Sequence, residues 1–223
     1  MTKVMFIAAD PKSVYITMAH HEYGNQAFGG QPGMNKAQLV VDDDLLKGRS
    51  SIVVRYDGGS DPYFSSFNTA QIYIRGHGMP GSPTIEVARN GEKIHYTEVV
   101  QRLITTGLKR EFFGDIKCFN CHSAEGRVDD YGNYHPPFAQ LIADEMFARG
   151  YKFCKFFGYA DAIDSFPASF DKGANPPDPV LHKYRRGPVG LGNLGRASTG
   201  RIEFFPNPRP LSLKGQFARK FFN

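Results

Sequence analysis

Apolar positions along this chain follow two rhythms, short β-rich runs and two stretches with three-and-four spacing. Val4–Ala9 reads as a buried strand. Ser51–Tyr56 reads as another, β-branched and stopped by Asp57-Gly58-Gly59. Ile72–Arg75 is a third, ending at Gly76. Thr84–Ala88 and Lys93–Tyr96 flank Asn90-Gly91, the composition of a tight hairpin. The helical rhythm begins at Thr97, a candidate cap, with Val100, Leu103, Ile104 and Leu108 on one face. It returns after Pro136-Pro137 with Phe138, Leu141, Ile142 and Met146, and Gly150 ends it. Strand-like runs lie between the helices (Asp115–Asn120) and after the second (Tyr151–Tyr159). Gly24–Gly33 and Asp161–Gly200 read as loops, and Arg201–Phe205 as a last strand.

From Ile72 onward the order is strand, hairpin, helix, strand, helix, strand, which predicts a mostly parallel sheet with crossover helices. The chain has 223 residues, 41% hydrophobic and 22% charged, which suits one α/β domain over 1–223 and excludes a largely disordered chain. That length buries roughly 70% of the unfolded surface, so the core needs no disulfide or metal. The longest apolar runs fall far short of the ~20 residues of a membrane span. Three cysteines, an odd number, suit a reducing compartment, and no signal peptide is read at Met1-Thr2-Lys3. Charge is uneven: residues 181–223 carry +8 and the other 180 carry −3. A basic C-terminal fifth predicts attraction to a polyanion, with a solvated charged face as the plain alternative.

In an open parallel sheet, reactive groups gather beyond the carboxyl ends of the strands. Two strand ends qualify, Gly76-His77-Gly78 and Cys121-His122-Ser123. One right-handed crossover between their strands makes them neighbours, about 4.8 Å apart. Cys121 as a thiolate nucleophile, His77 as acid/base and the amides of Gly78 and Cys121 would form an acyl-transfer site. Cys118, inside its strand, and Cys154, among phenylalanines, read as small core residues. Cys118-Phe119-Asn120-Cys121-His122 also matches a c-type haem attachment sequence in letters, although a strand rather than a helix leads into it. Gly190–Gly195 fits a dinucleotide fingerprint only in letters and reads as loop. Asp42-Asp43-Asp44 reads as a solvated turn, and His20-His21 is assigned nothing.

The run Ile72–Gly78, followed 44 residues after His77 by Cys121 within Asp115–Ala124, resembles the caspase-like cysteine peptidases. The self-cleaving cysteine protease domains of large bacterial toxins are the nearer comparison, and the likeness covers roughly Ser51–Tyr159. It implies a three-layer sandwich with a mostly parallel central sheet and a C-terminal loop or hairpin flap. It also implies a Cys121–His77 dyad, Gly78 in the oxyanion hole, a protein or peptide substrate and no cofactor. In the toxin domains a basic surface near the flap binds the activator inositol hexakisphosphate. Lys183, Arg185, Arg186 and Arg196 lie in comparable territory here.

Caspases carry Gln two residues before the nucleophile, where this chain has Phe119, so an acidic P1 residue (the one before the cut bond) ranks last. Phe119, on the same side of its strand as Cys121, favours an apolar P1; Asp161 or Asp164 at the pocket floor would favour a basic one. A monomer is expected, cytosolic or delivered into a host cytosol as a self-processing toxin or effector. The opposing classes are an inactive caspase-like scaffold that binds an anion and a haem protein.

Overall fold

The computed structural model describes residues 13–17, 51–55, 58–62, 64–66, 68–86, 92–163, 184–187 and 193–207. In chain order the strands begin with β1 (Ser13–Thr17), β2 (Ser51–Arg55), β3 (Gln71–Arg75), β4 (Thr84–Glu86) and β5 (Lys93–His95). Helix α1 (Tyr96–Thr106) leads to β6 (Asp115–Phe119), and the small hairpin β7 (Arg127–Val128) and β8 (Tyr134–His135) leads to α2 (Phe138–Ala148). Then come β9 (Lys155–Tyr159), β10 (Ala162–Ile163), β11 (Tyr184–Arg186), β12 (Asn193–Arg196), a short 3₁₀ turn at Ala197–Gly200, and β13 (Arg201–Phe204).

The result is a mixed α/β fold around a six-stranded sheet in the order β13-β9-β6-β3-β1-β2. All neighbours are parallel except β13, which runs antiparallel to β9. Parallel neighbours cannot be joined by a tight turn, so α1 carries the chain from the β4–β5 hairpin to β6, and α2 carries it from β6 to β9. Alternation along the strands divides the residues between two faces. Ile72, Ile74, Ile116, Cys118 and Phe156 are buried in one cluster with Val99, Val100 and Leu103 of α1 and Phe138, Ile142 and Met146 of α2. Burying each large apolar side chain of this set contributes roughly 1.5–3 kcal/mol.

Several expectations need correction in detail. Thr97 does not cap α1. The helix starts one residue earlier, His95 is the flanking residue, and the Thr97 hydroxyl is hydrogen-bonded to His95 Nδ1 at 2.8 Å. On α2, Phe138, Ile142 and Met146 are buried, but Leu141 is only partly so. Tyr151 precedes its strand; it is buried, and its hydroxyl donates to the Leu108 carbonyl at 2.6 Å. The span Asp161–Gly200 is not all loop: β10, β11 and β12 form an antiparallel three-stranded sheet in that order. Strands of two to four residues show no readable period, so their pairing is set by tertiary contact. Gly195 belongs to β12 within that sheet. Val4–Ala9, Gly24–Gly33, Asp42-Asp43-Asp44, His20-His21 and Asn90-Gly91 lie outside the described residues.

The sheet's other face is polar at its centre. Lys117, 1% exposed, donates to Gln71 Oε1 at 2.8 Å and lies 3.4 Å from Asp115 Oδ2. Burial pushes its ammonium down from 10.5 to about 8; Asp115 opposes the shift and Arg201 adds to it. The sign follows from linkage. Below about pH 8 both folded and unfolded chains carry the proton, and the fold bears the full cost of a buried charge. Between about 8 and 10.5 the unfolded chain holds a proton the native one has released, so this residue's contribution to stability rises with pH. Lys117→Met is expected to remove that rise, which on the linkage scale is on the order of 3 kcal/mol. Urea unfolding of both proteins at pH 7 and pH 10 checks it; equal differences at the two pH values would refute it.

Candidate active site

The pairing of β3 with β6 runs in register from Gln71↔Asp115 to Arg75↔Phe119. Two residues beyond the last pair stand His77 and Cys121, at the same level of the same sheet edge. Backbone bonds fix His77: its N–H donates to the Glu86 carbonyl at 2.7 Å, and the Glu86 N–H donates back at 2.9 Å. The two strand ends touch at Gly78. A Cβ there would collide with the Asn120 side-chain amide and lie 2.5 Å from the Cys121 carbonyl oxygen. Only glycine allows that approach.

Cys121 is partly buried and packs against a second cluster, made of Phe119, Tyr159, Ile163 and Ala197. Its sulfur sits on the backbone of β10, accepting from the Ile163 N–H at 3.4 Å and reaching the Ile163 carbonyl at 3.6 Å. Burial governs the other two cysteines. Complete burial pushes the Cys118 thiol far up, and burial pushes Cys154 up to about 12. Cys118 lies in the helix-facing cluster and Cys121 packs on the other. The haem-like spacing therefore does not present two thiols to one surface.

The turn after Cys121 is fastened on three sides. Ser123, fully buried, donates from Oγ to the Cys118 carbonyl at 2.6 Å and accepts from the Tyr159 N–H at 2.9 Å. Its own carbonyl accepts from Ala139 N at the start of α2, at 3.0 Å. Gly158 makes room, since a Cβ there would sit 2.8 Å from Ala139 Cβ and 2.9 Å from the Ser123 carbonyl oxygen. His122 takes the left-handed conformation (φ 57°), and its N–H donates to the Asp161 carbonyl at 2.9 Å. The His122 ring lies 3.1 Å from both carboxylate oxygens of Glu125, which also accepts the Asp161 N–H.

The remaining predicted residues are distributed as follows. Phe119 is on the Cys121 side of the sheet, but only 4% exposed, its ring edge-on to Tyr73 and Tyr159 at 5.9 and 5.1 Å. Little of it is left to line a pocket. Asp161 follows β9, and its carboxylate is paired with Arg185 at 3.1 Å; Arg185 also donates to the Leu194 carbonyl at 2.8 Å. An expected pocket acid and an expected anion ligand thus neutralise each other. Arg186 and Arg196 are exposed on β11 and β12. Asp164 and Lys183 lie outside the described residues. Asn120, Ser123, Glu125, Ile163 and Glu86 were not singled out by the sequence. They act through packing, backbone groups or contacts to residues distant in the pattern, which leave no motif. Among the described residues, no three of His, Cys, Asp and Glu stand together as a metal site. Nor is any helix among them long and apolar enough to cross a membrane. A scan against protein-family models and a search of curated proteins returned no match to this chain.

Proposed function

We propose that the protein is a cysteine endopeptidase of caspase-like type. The observation that carries this reading is the in-register β3–β6 pair, with His77 and Cys121 two residues beyond it and Gly78 against the Cys121 backbone. In the proposed reaction the Cys121 thiolate attacks the scissile carbonyl carbon. The oxygen of the tetrahedral adduct is held by the N–H groups of Gly78 and Cys121. His77 gives a proton to the leaving amine, the C–N bond breaks and a thioester remains. Water, losing a proton to His77, then hydrolyses the thioester and frees Cys121.

The reading extends to a three-layer caspase-like sandwich with β10–β12 as the flap. Because Asp161 already has a cationic partner in Arg185, an apolar P1 residue such as Leu ranks above a basic one. A polyanion such as inositol hexakisphosphate at the basic C-terminal segment belongs to the same proposal.

Labelling with a fluorescent iodoacetamide near neutral pH tests the nucleophile. Reactive thiols are those able to ionise, and burial opposes that at Cys118 and Cys154. The native chain, Cys118→Ala and Cys154→Ala should be labelled alike, and Cys121→Ala should not. Undiminished labelling of Cys121→Ala would end the assignment.

A further inference from the structure

We propose that Glu86 is a positioning residue for His77, forming with it a carboxylate–imidazole pair that completes the Cys121 dyad; this rests on the peptidase reading above. His77 and Glu86 form an antiparallel bridge in which each donates its N–H to the other's carbonyl, at 2.7 and 2.9 Å. Residues directly opposite in such a bridge project their side chains to the same face, with Cβ atoms roughly 5 Å apart. In this structure the Glu86 carboxylate rests on Lys93, 3.5 Å away, and at that spacing a change of its rotamer brings a carboxylate oxygen to a ring N–H of His77.

The opposite face of the strand is occupied. Ile85 is completely buried in the core, and Gly76 packs so closely on it that a Cβ would stand 3.1 Å from Ile85 Cβ. His77 and Glu86, one residue along each strand, therefore face away from that core. On its other side Glu86 is paired in register with Lys93 of β5, whose ammonium lies 3.5 Å from Glu86 Oε1. His77, Glu86 and Lys93 thus form one lateral row across three chain segments, with the carboxylate in the middle.

A carboxylate beside an imidazole does two things that matter for a thiol dyad. It holds the ring in the tautomer that leaves the other nitrogen facing Cys121, and it stabilises the imidazolium formed when the thiol proton moves to the ring. Lys93 tempers the second effect by sharing the carboxylate. The other charged or titratable groups on the elements that meet here are Tyr73 and Arg75 on β3, His95 on β5, Asp115 and Lys117 on β6, and Cys121, His122 and Glu125 in the turn that follows. Of the two acids among them, Asp115 stands at the far end of β6 beside Lys117, and Glu125 is held by the His122 ring and the Asp161 N–H.

The test measures kcat and KM on a fluorogenic peptide, and the pH dependence of Cys121 alkylation by iodoacetamide. It uses the full chain carrying Glu86→Gln, Glu86→Asp or Lys93→Gln. Glu86→Gln should lower kcat roughly tenfold, well short of the ~10⁴ carried by a fully buried triad carboxylate, because Glu86 is partly exposed and shared. KM should change little. The upper inflection of both pH profiles, where the imidazolium loses its proton, should fall to lower pH in Glu86→Gln and recover partly in Glu86→Asp. Lys93→Gln, at an exposed residue that tolerates change, should move it to higher pH by less.

An unmoved upper inflection in Glu86→Gln and Lys93→Gln overturns the proposal, whatever happens to kcat, because a merely structural role would alter rate without that shift. The alkylation profile needs no peptide turnover. Failure of Glu86 is therefore distinct from failure of the peptidase reading, which would appear as absent cleavage in the native chain.

Discussion

Cys121→Ala should abolish peptide cleavage, and His77→Ala should reduce its rate by on the order of 10²–10⁴, the scale of a lost general acid/base. Both variants should keep the native fold. His77 is held by its backbone bonds to Glu86, which an alanine makes equally well. Cys121 touches the second cluster from a partly exposed position and fills no closed core. The double variant should be no slower than Cys121→Ala alone, because residues that act as one unit do not lose their effects additively. His122→Ala is the control. That ring is engaged by Glu125, so its loss should disturb the turn while sparing most of the rate. Progress curves on a peptide ending in Leu, with far-UV circular dichroism to confirm folding, decide the matter. A larger loss in His122→Ala than in His77→Ala would mean that the acid/base has been misassigned.

The sheet edge that carries these residues was legible because it rests on strong local signals. Ile72–Arg75 and Asp115–Asn120 have the composition of buried strands, and a single helix of clear period lies between them. The crossover rule then makes them neighbours, as observed in β3 and β6. Other features were not legible, for identifiable reasons. β1 carries β-branched and aromatic residues at Val14, Tyr15 and Ile16, yet its five residues between long stretches of mixed pattern give no register. β10, β11 and β12 are shorter still and exist only as partners of one another.

Side-chain fates were harder than backbone positions. Alternation put Phe119 on the Cys121 side, but packing between Tyr73 and Tyr159 took most of its surface. The charge pattern separated Asp161 from Arg185 by 24 residues, and the antiparallel turn of the chain brings them into one ion pair. Burial and pairing are products of the assembled fold, which is why a motif locates a nucleophile more readily than the groups that hold it.

Gly78→Ala should severely damage catalysis while leaving every reactive side chain in place. The added methyl would meet the Asn120 side-chain amide and the Cys121 carbonyl, the latter at 2.5 Å, and neither can retreat freely. Asn120 is 2% exposed, and the carbonyl belongs to the backbone of the nucleophile. Relief must come from separating the two strand ends. Overpacking of this kind costs about 1–3 kcal/mol, which a domain of this size can survive. Catalysis is less tolerant, since a displacement of ~1 Å between reacting groups can cost ~10²-fold. Gly76→Ala supplies the comparison: its methyl would lie 3.1 Å from Ile85 Cβ and the Glu86 carbonyl oxygen, contacts that a few tenths of an ångström relieve. Gly132→Ala supplies the other limit, with nothing within 4 Å of the new methyl and only its positive φ to strain the backbone. The expected order of lost kcat is therefore Gly78→Ala, then Gly76→Ala, with Gly132→Ala close to the native chain. Thermal melts separate instability from a misplaced site. A folded Gly78→Ala with native kcat would show that contact between the two strand ends is not needed for the chemistry.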